Sequence, residues 1–111
     1  MSAPTALCLY RVSPGREAEF TELLKRHWPT LHALGLVTDD RPLHYQGAER
    51  DGRPLFVEIF RWVSEAASRL AHEHPEVMAI WEPMDKITEA RAGRPNMEFP
   101  HVQPIEVVQS A

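Results

Sequence analysis

The chain has 111 residues, 43% of them hydrophobic and 25% charged, with a net charge of −4, six His, ten Pro and one Cys. That composition predicts one globular domain over residues 1–111, and the single Cys8 excludes an internal disulfide and any site built from paired thiolates. Lys and Arg are scattered rather than clustered, there is no charged-then-apolar leader, and no apolar run reaches the ~18 residues of a membrane span.

No nucleic acid, no membrane association and a cytoplasmic location are therefore expected. A chain this short buries only roughly 65% of its unfolded surface, so a second copy would help its thin core.

Residues 4–12 are apolar or β-favouring on both alternations, which predicts a central strand covered on two sides. Ser13-Pro14 reads as the N-cap and first position of a helix. Ala18, Phe20, Leu23, Leu24, His27, Trp28, Leu31 and Leu34 then follow at helical spacing. Pro29 should kink or restart that helix near Trp28, and Gly35 ends it. Residues 41–48 and 54–62 read as two strands joined through Asp51-Gly52, a hairpin signal. Ser64 caps a second helical region, which breaks at His74-Pro75 and resumes as the stripe Val77, Ile80, Trp81, Met84 and Ile87. Residues 97–108 look extended, but Pro100 and Pro104 each delete a ladder donor, which keeps that strand out of a central position.

The order β-α-β-β-α-β is that of the ferredoxin-like α+β fold, an antiparallel sheet with two helices on one face. Its first and third strands are central and its second and fourth lie at the edges. Pro42, Pro100 and Pro104 fall in the edge strands, as this requires.

Several stretches carry a resemblance: residues 13–20, Leu55-Phe56-Val57-Glu58-Ile59-Phe60-Arg61-Trp62 leading into Ser64-Glu65-Ala66, and His74-Pro75-Glu76-Val77. As a set over nearly the whole chain they resemble the dimeric α+β barrel superfamily, which includes the antibiotic-biosynthesis monooxygenases. The resemblance implies a homodimer with its two sheets face to face and a small-molecule pocket between each sheet and its own helices. It implies fold better than activity, because members include oxygenases, isomerases and haem enzymes. The haem-degrading members carry an Asn on strand one, and none stands there in this chain. The Asn of the quinone-forming oxygenases has no counterpart either, because Asn96 is the only one.

Among chemistry-bearing residues Glu58 stands first, since a carboxylate inside an apolar central strand needs a partner. One hairpin register sets His44 opposite Glu58 and Leu43 opposite Ile59; a tighter turn would set Tyr45 against Glu58 instead. The first register, pairing polar with polar, is favoured. A carboxylate bonded to an imidazole can hold a general base, with Glu58 and His44 as the catalytic pair, or can offer two ligands to a divalent metal. The bland alternative is a structural polar pair at a dimer interface.

His72-Glu73-His74 lacks the i,i+4 spacing of a helical metal site, so a helix break is the better reading, with His74 or Glu73 capping the next segment. His74 and His101 remain possible polar contacts to a substrate, beside Tyr45. Trp81 and Met84 would form an apolar wall, although such a stripe is more often plain core. His27, inside the apolar stripe of helix one, is more often a satisfied core residue than a catalytic one, and Cys8 reads as an inert small hydrophobe.

The expected function is binding of a small apolar or aromatic ligand by a homodimer, with cofactor-independent oxygenation of an aromatic or enolisable substrate as its chemistry. No cofactor or resident metal is called for. The alternatives are a non-catalytic binding module, or a metal site built on His44, Glu58 and one more His.

Overall fold

The computed structural model describes residues 3–110. The elements run β1 (Thr5–Tyr10), α1 (Glu17–Ala33), β2 (Leu43–Ala48), β3 (Pro54–Arg61), α2 (Glu65–Leu70), a 3-10 turn (Ala71–Glu73), α3 (Pro75–Lys86), β4 (Met97–Glu98) and β5 (His101–Val102). The sheet order is β2-β3-β1-β4, with β5 also on β1, and every pairing is antiparallel. This is the ferredoxin-like α+β arrangement, with the proline-free strand interiors in the middle as expected.

One face of the sheet carries Ala6, Cys8, Tyr10, Phe56, Glu58 and Phe60, all buried. Phe20, Leu23, Leu24 and Leu31 of α1 and Val77, Ile80 and Met84 of α3 cover it, and α1 packs on α3. The other face is only half-buried along β1 and β3, so the two-sided cover expected of β1 is missing from a single chain.

The β2–β3 loop fixes the register that matters. Gly52 (φ +86°) donates its N–H to Glu49 O, and Glu49 N–H to Arg53 O, so a turn plus one left-handed residue closes the hairpin. His44 then lies opposite Glu58 and Leu43 opposite Ile59, the favoured register.

Four expectations need correction. Ser13-Pro14 is a turn and not the start of α1. Ser13 N–H is held by Ile87 O, and Gly15 is left-handed, so the helix begins at Glu17. The helix does not restart at Pro29 but runs through it, giving up one donor; it ends where Gly35 N–H bonds His32 O and Leu36 N–H bonds Leu31 O. The break before α3 forms with His74 extended ahead of Pro75, yet its side chain makes no capping bond. The last strand, expected over 97–108, shrinks to two short pairings on either side of Phe99-Pro100, and residues 103–110 lie off the sheet and exposed.

Candidate active site

Strand alternation turns Glu58 toward the helices, where it is fully buried. Burying a carboxylate costs several kcal/mol unless donors replace its water. Three do. Tyr10 OH donates to Oε1 at 2.7 Å, His27 Nδ1 lies 2.8 Å from the same oxygen, and His44 Nε2 lies 2.8 Å from Oε2. The chain continues from His27: Trp81 Nε1–H donates to His27 Nε2 at 2.8 Å. An indole N–H can only donate, so Nε2 is the acceptor and the His27 proton sits on Nδ1, aimed at Glu58.

Burial is the largest influence on the Glu58 carboxyl and pushes its pKa up, but the His27, His44 and Tyr10 contacts together outweigh it and hold the group at about 2. Burial also pushes the Tyr10 hydroxyl and the Cys8 thiol well up, helped by the nearby carboxylate. Tyr10 thus stays a donor and Cys8 an unreactive thiol.

The His44 pKa is raised by its hydrogen bond to Glu58, against partial burial. A raised folded pKa means a contribution to stability that is complete below the ordinary value of 6.5 and fades as pH rises through the raised one. The melting-temperature gap between wild type and a His44→Gln variant should therefore narrow from about pH 5.5 to about pH 9. A gap that widened would contradict the ion pair.

A cavity of about 330 Å³ opens beside this chain, between β3, β5 and the α2–α3 region. Phe60, Trp62, Trp81, Met97 and Phe99 wall it, together with the His27 ring. Ser68, Arg69, His72 and His101 supply its polar lining. His72 packs edge-on against Trp81, and His101 Nδ1 lies 3.2 Å from Glu65 Oε2.

Of the residues singled out in the sequence, Trp81 and His101 line this cavity. Glu58 reaches it only through His27. His44 faces a separate hollow of about 280 Å³ with Thr21, Leu24, Lys25, Gln46 and Phe56; Tyr45 borders it, but strand alternation turns the Tyr45 side chain to the opposite face of the sheet. Met84 is fully buried in the core, and His74 is not among the lining residues: the 3-10 turn brings His72 there instead.

The metal alternative finds no support, since among the described residues no three His, Cys, Asp or Glu side chains converge to hold an ion. His27 and His44 bond different oxygens of Glu58, and the free nitrogen lone pair of His27 is taken by Trp81.

His27 is the partner of Glu58 that sequence reasoning missed. The available signal was a lone buried carboxylate facing a helix whose only polar stripe residue was a histidine.

No protein-family model matches the chain, and no curated protein does. Solved structures do. SnoaB, a cofactor-independent oxygenase from Streptomyces nogalater, is similar over 99% of this chain and 100% of its own, at TM-score 0.69 and 17% identity. A provisionally assigned antibiotic biosynthesis monooxygenase from Bacteroides thetaiotaomicron is similar over 99% of this chain and 96% of its own, at TM-score 0.65 and 16% identity. A dimeric ferredoxin-like protein of unknown function from Jannaschia sp. CCS1 is similar over 93% of this chain and 100% of its own, at TM-score 0.65 and 13% identity. These likenesses give the chain the fold of the antibiotic-biosynthesis-monooxygenase-like proteins, and at such identities they carry the fold alone. Among the described residues no helix is long and apolar enough to cross a membrane.

Proposed function

We propose that the chain is a homodimeric, cytoplasmic, cofactor-independent monooxygenase whose aromatic or enolisable substrate occupies the 330 Å³ cavity. The observation that carries the proposal is the donor–acceptor pair Trp81 Nε1–H and His27 Nε2 in an aromatic wall, backed by buried Glu58. An enol or phenol hydroxyl is complementary to that pair: inserted between them, it donates to His27 Nε2 and accepts from the indole.

Proton transfer to His27 leaves an imidazolium facing the Glu58 carboxylate and a substrate oxyanion facing the Trp81 N–H. The anion passes one electron to dioxygen, and the resulting radical and superoxide combine into a carbon-bound peroxide. Return of the proton and loss of water leave one oxygen atom in a new carbonyl, with the other in the water. The aromatic wall keeps the anion away from bulk solvent. In this scheme Glu58 is a positioning residue. His44 holds its second oxygen and stabilises its ionised form.

Dimerisation is supported by the sheet face opposite the helices. It presents Leu43 and Tyr45, 51% and 56% exposed, beside the half-buried Leu7, Leu9, Val57 and Ile59. An apolar sheet face of this kind is an association surface. Wild type should sediment as a dimer, and Val57→Glu should raise the dissociation constant by about 100-fold or more by stranding a charge in the interface. Unchanged sedimentation of the variant would place the interface elsewhere.

Oxygen consumption with anthrone-like and hydroquinone substrates tests the chemistry. Wild type should consume oxygen without added metal or flavin, and Glu58→Gln, which leaves the imidazolium without its counter-charge, should do so markedly more slowly. A Glu58→Gln protein as active as wild type removes the proposed base assembly. A dimer that binds the compounds and consumes no oxygen would be the non-catalytic binding module.

A further inference from the structure

The polar lining of the cavity carries a single fixed charge, and it is positive. Arg69, His72, His101, Ser68 and His27 contribute to it, and no carboxylate does, in a chain whose net charge is −4. His27 is already bonded at both ring nitrogens, and His101 has Glu65 beside it. Arg69 is different: exposed at the mouth, it has no carboxylate within ion-pairing distance among the described residues, and a guanidinium is a permanent donor and cation. Deeper in the wall, Trp62 is only 5% exposed, and its indole Nε1 is buried without an acceptor. An orphaned buried donor costs free energy that a ligand acceptor can recover. Aromatic walls, surplus donors and an unpaired cation at the mouth describe one kind of occupant.

We infer that the cavity selects an aromatic compound bearing an anionic oxygen group, a carboxylate or an acidic phenolate, with its rings against Phe60, Trp62 and Trp81 and its charge at Arg69. This rests on the cavity being the ligand site, as proposed above, and narrows the substrate class to aromatic acids. Arg69 acts as a specificity residue. It sits on α2 and meets the substrate's charged group rather than the hydroxyl held between His27 and Trp81.

The test uses two isosteric probes, 2-naphthoate and 2-naphthamide, titrated calorimetrically into the full-length protein. Wild type should bind the acid about tenfold more tightly than the amide, as one charge-assisted contact at a wet mouth provides. Arg69→Gln should bring the two affinities together by weakening the acid and leaving the amide unchanged. Ser68→Phe, which narrows the cavity, should weaken both.

Equal affinities in wild type would overturn the inference and leave the cavity standing as a ligand site, as would a preference that survives Arg69→Gln. Binding of neither probe, or binding indifferent to Ser68→Phe, would overturn both the inference and the site on which it rests.

Discussion

Replacing Glu58 by alanine is expected to remove about 3–5 kcal/mol of folding free energy, a large share of the roughly 5–15 kcal/mol that holds a domain of this size. The loss has an identifiable source. Tyr10 OH and His27 Nδ1–H, on residues 0% and 1% exposed, would both lose their acceptor in the core, with no water to replace it. Glu58→Gln separates shape from charge. The amide oxygen can still serve Tyr10 and His27 while the amide N–H faces His44, so the expected cost is smaller, about 1–2 kcal/mol. It should shrink further at high pH, where a neutral His44 can accept.

Acid adds a second signature. The folded Glu58 pKa is lowered from 4.5 to about 2, so its contribution is complete above 4.5 and is lost as pH falls through about 2. A shift of that size corresponds to roughly 3 kcal/mol. Urea unfolding midpoints should therefore fall more steeply below about pH 4.5 in wild type than in Glu58→Gln. Parallel declines would mean that Glu58 is not held ionised by this network.

Local signals made much of the fold legible, and the failures were three-dimensional. The succession β-α-β-β-α-β gave the strand order; Pro42, Pro100 and Pro104 agreed with it, although all three lie just outside the paired segments, and Asp51-Gly52 gave the hairpin because left-handed backbone favours glycine. Glu58 was found as a charge inside an apolar strand, and His44 as its partner from the favoured hairpin register. His27 was placed on the right helix face, but periodicity reports a direction and not a partner, so its bonds to Glu58 and Trp81 stayed hidden. His72 and His74 exchanged roles for a similar reason. A single 3-10 turn before Pro75 re-aims the side chains by an angle no hydropathy pattern records.

Two arginines escaped altogether. Arg11 and Arg91, 1% and 4% exposed, both bind Glu49 and thereby tie the hairpin loop to the end of β1 and to the segment before β4. Read along the chain they resemble ordinary surface charges, because only tertiary structure supplies their partners.

Trp81→Phe is expected to lower the turnover number by about 10²–10³, the loss typical of removing one donor from a developing oxyanion. Phenylalanine keeps an aromatic ring in the wall, so affinity for a neutral ring probe such as 2-naphthamide should change little. Stability should fall by no more than about 3 kcal/mol, the cost of leaving the His27 lone pair unmatched and a small void behind. The diagnostic is the split between kcat and KM. If the indole N–H serves only to fix the wall, its loss should loosen binding, raise KM and leave kcat near wild type. If it hands its hydrogen bond from His27 to the substrate oxygen during proton transfer, kcat should fall while KM holds, because the contact strengthens only as charge develops. The 2.8 Å contact between Trp81 and His27 makes the second outcome the expected one: the two groups satisfy each other at rest, and a substrate hydroxyl can replace that one bond by two.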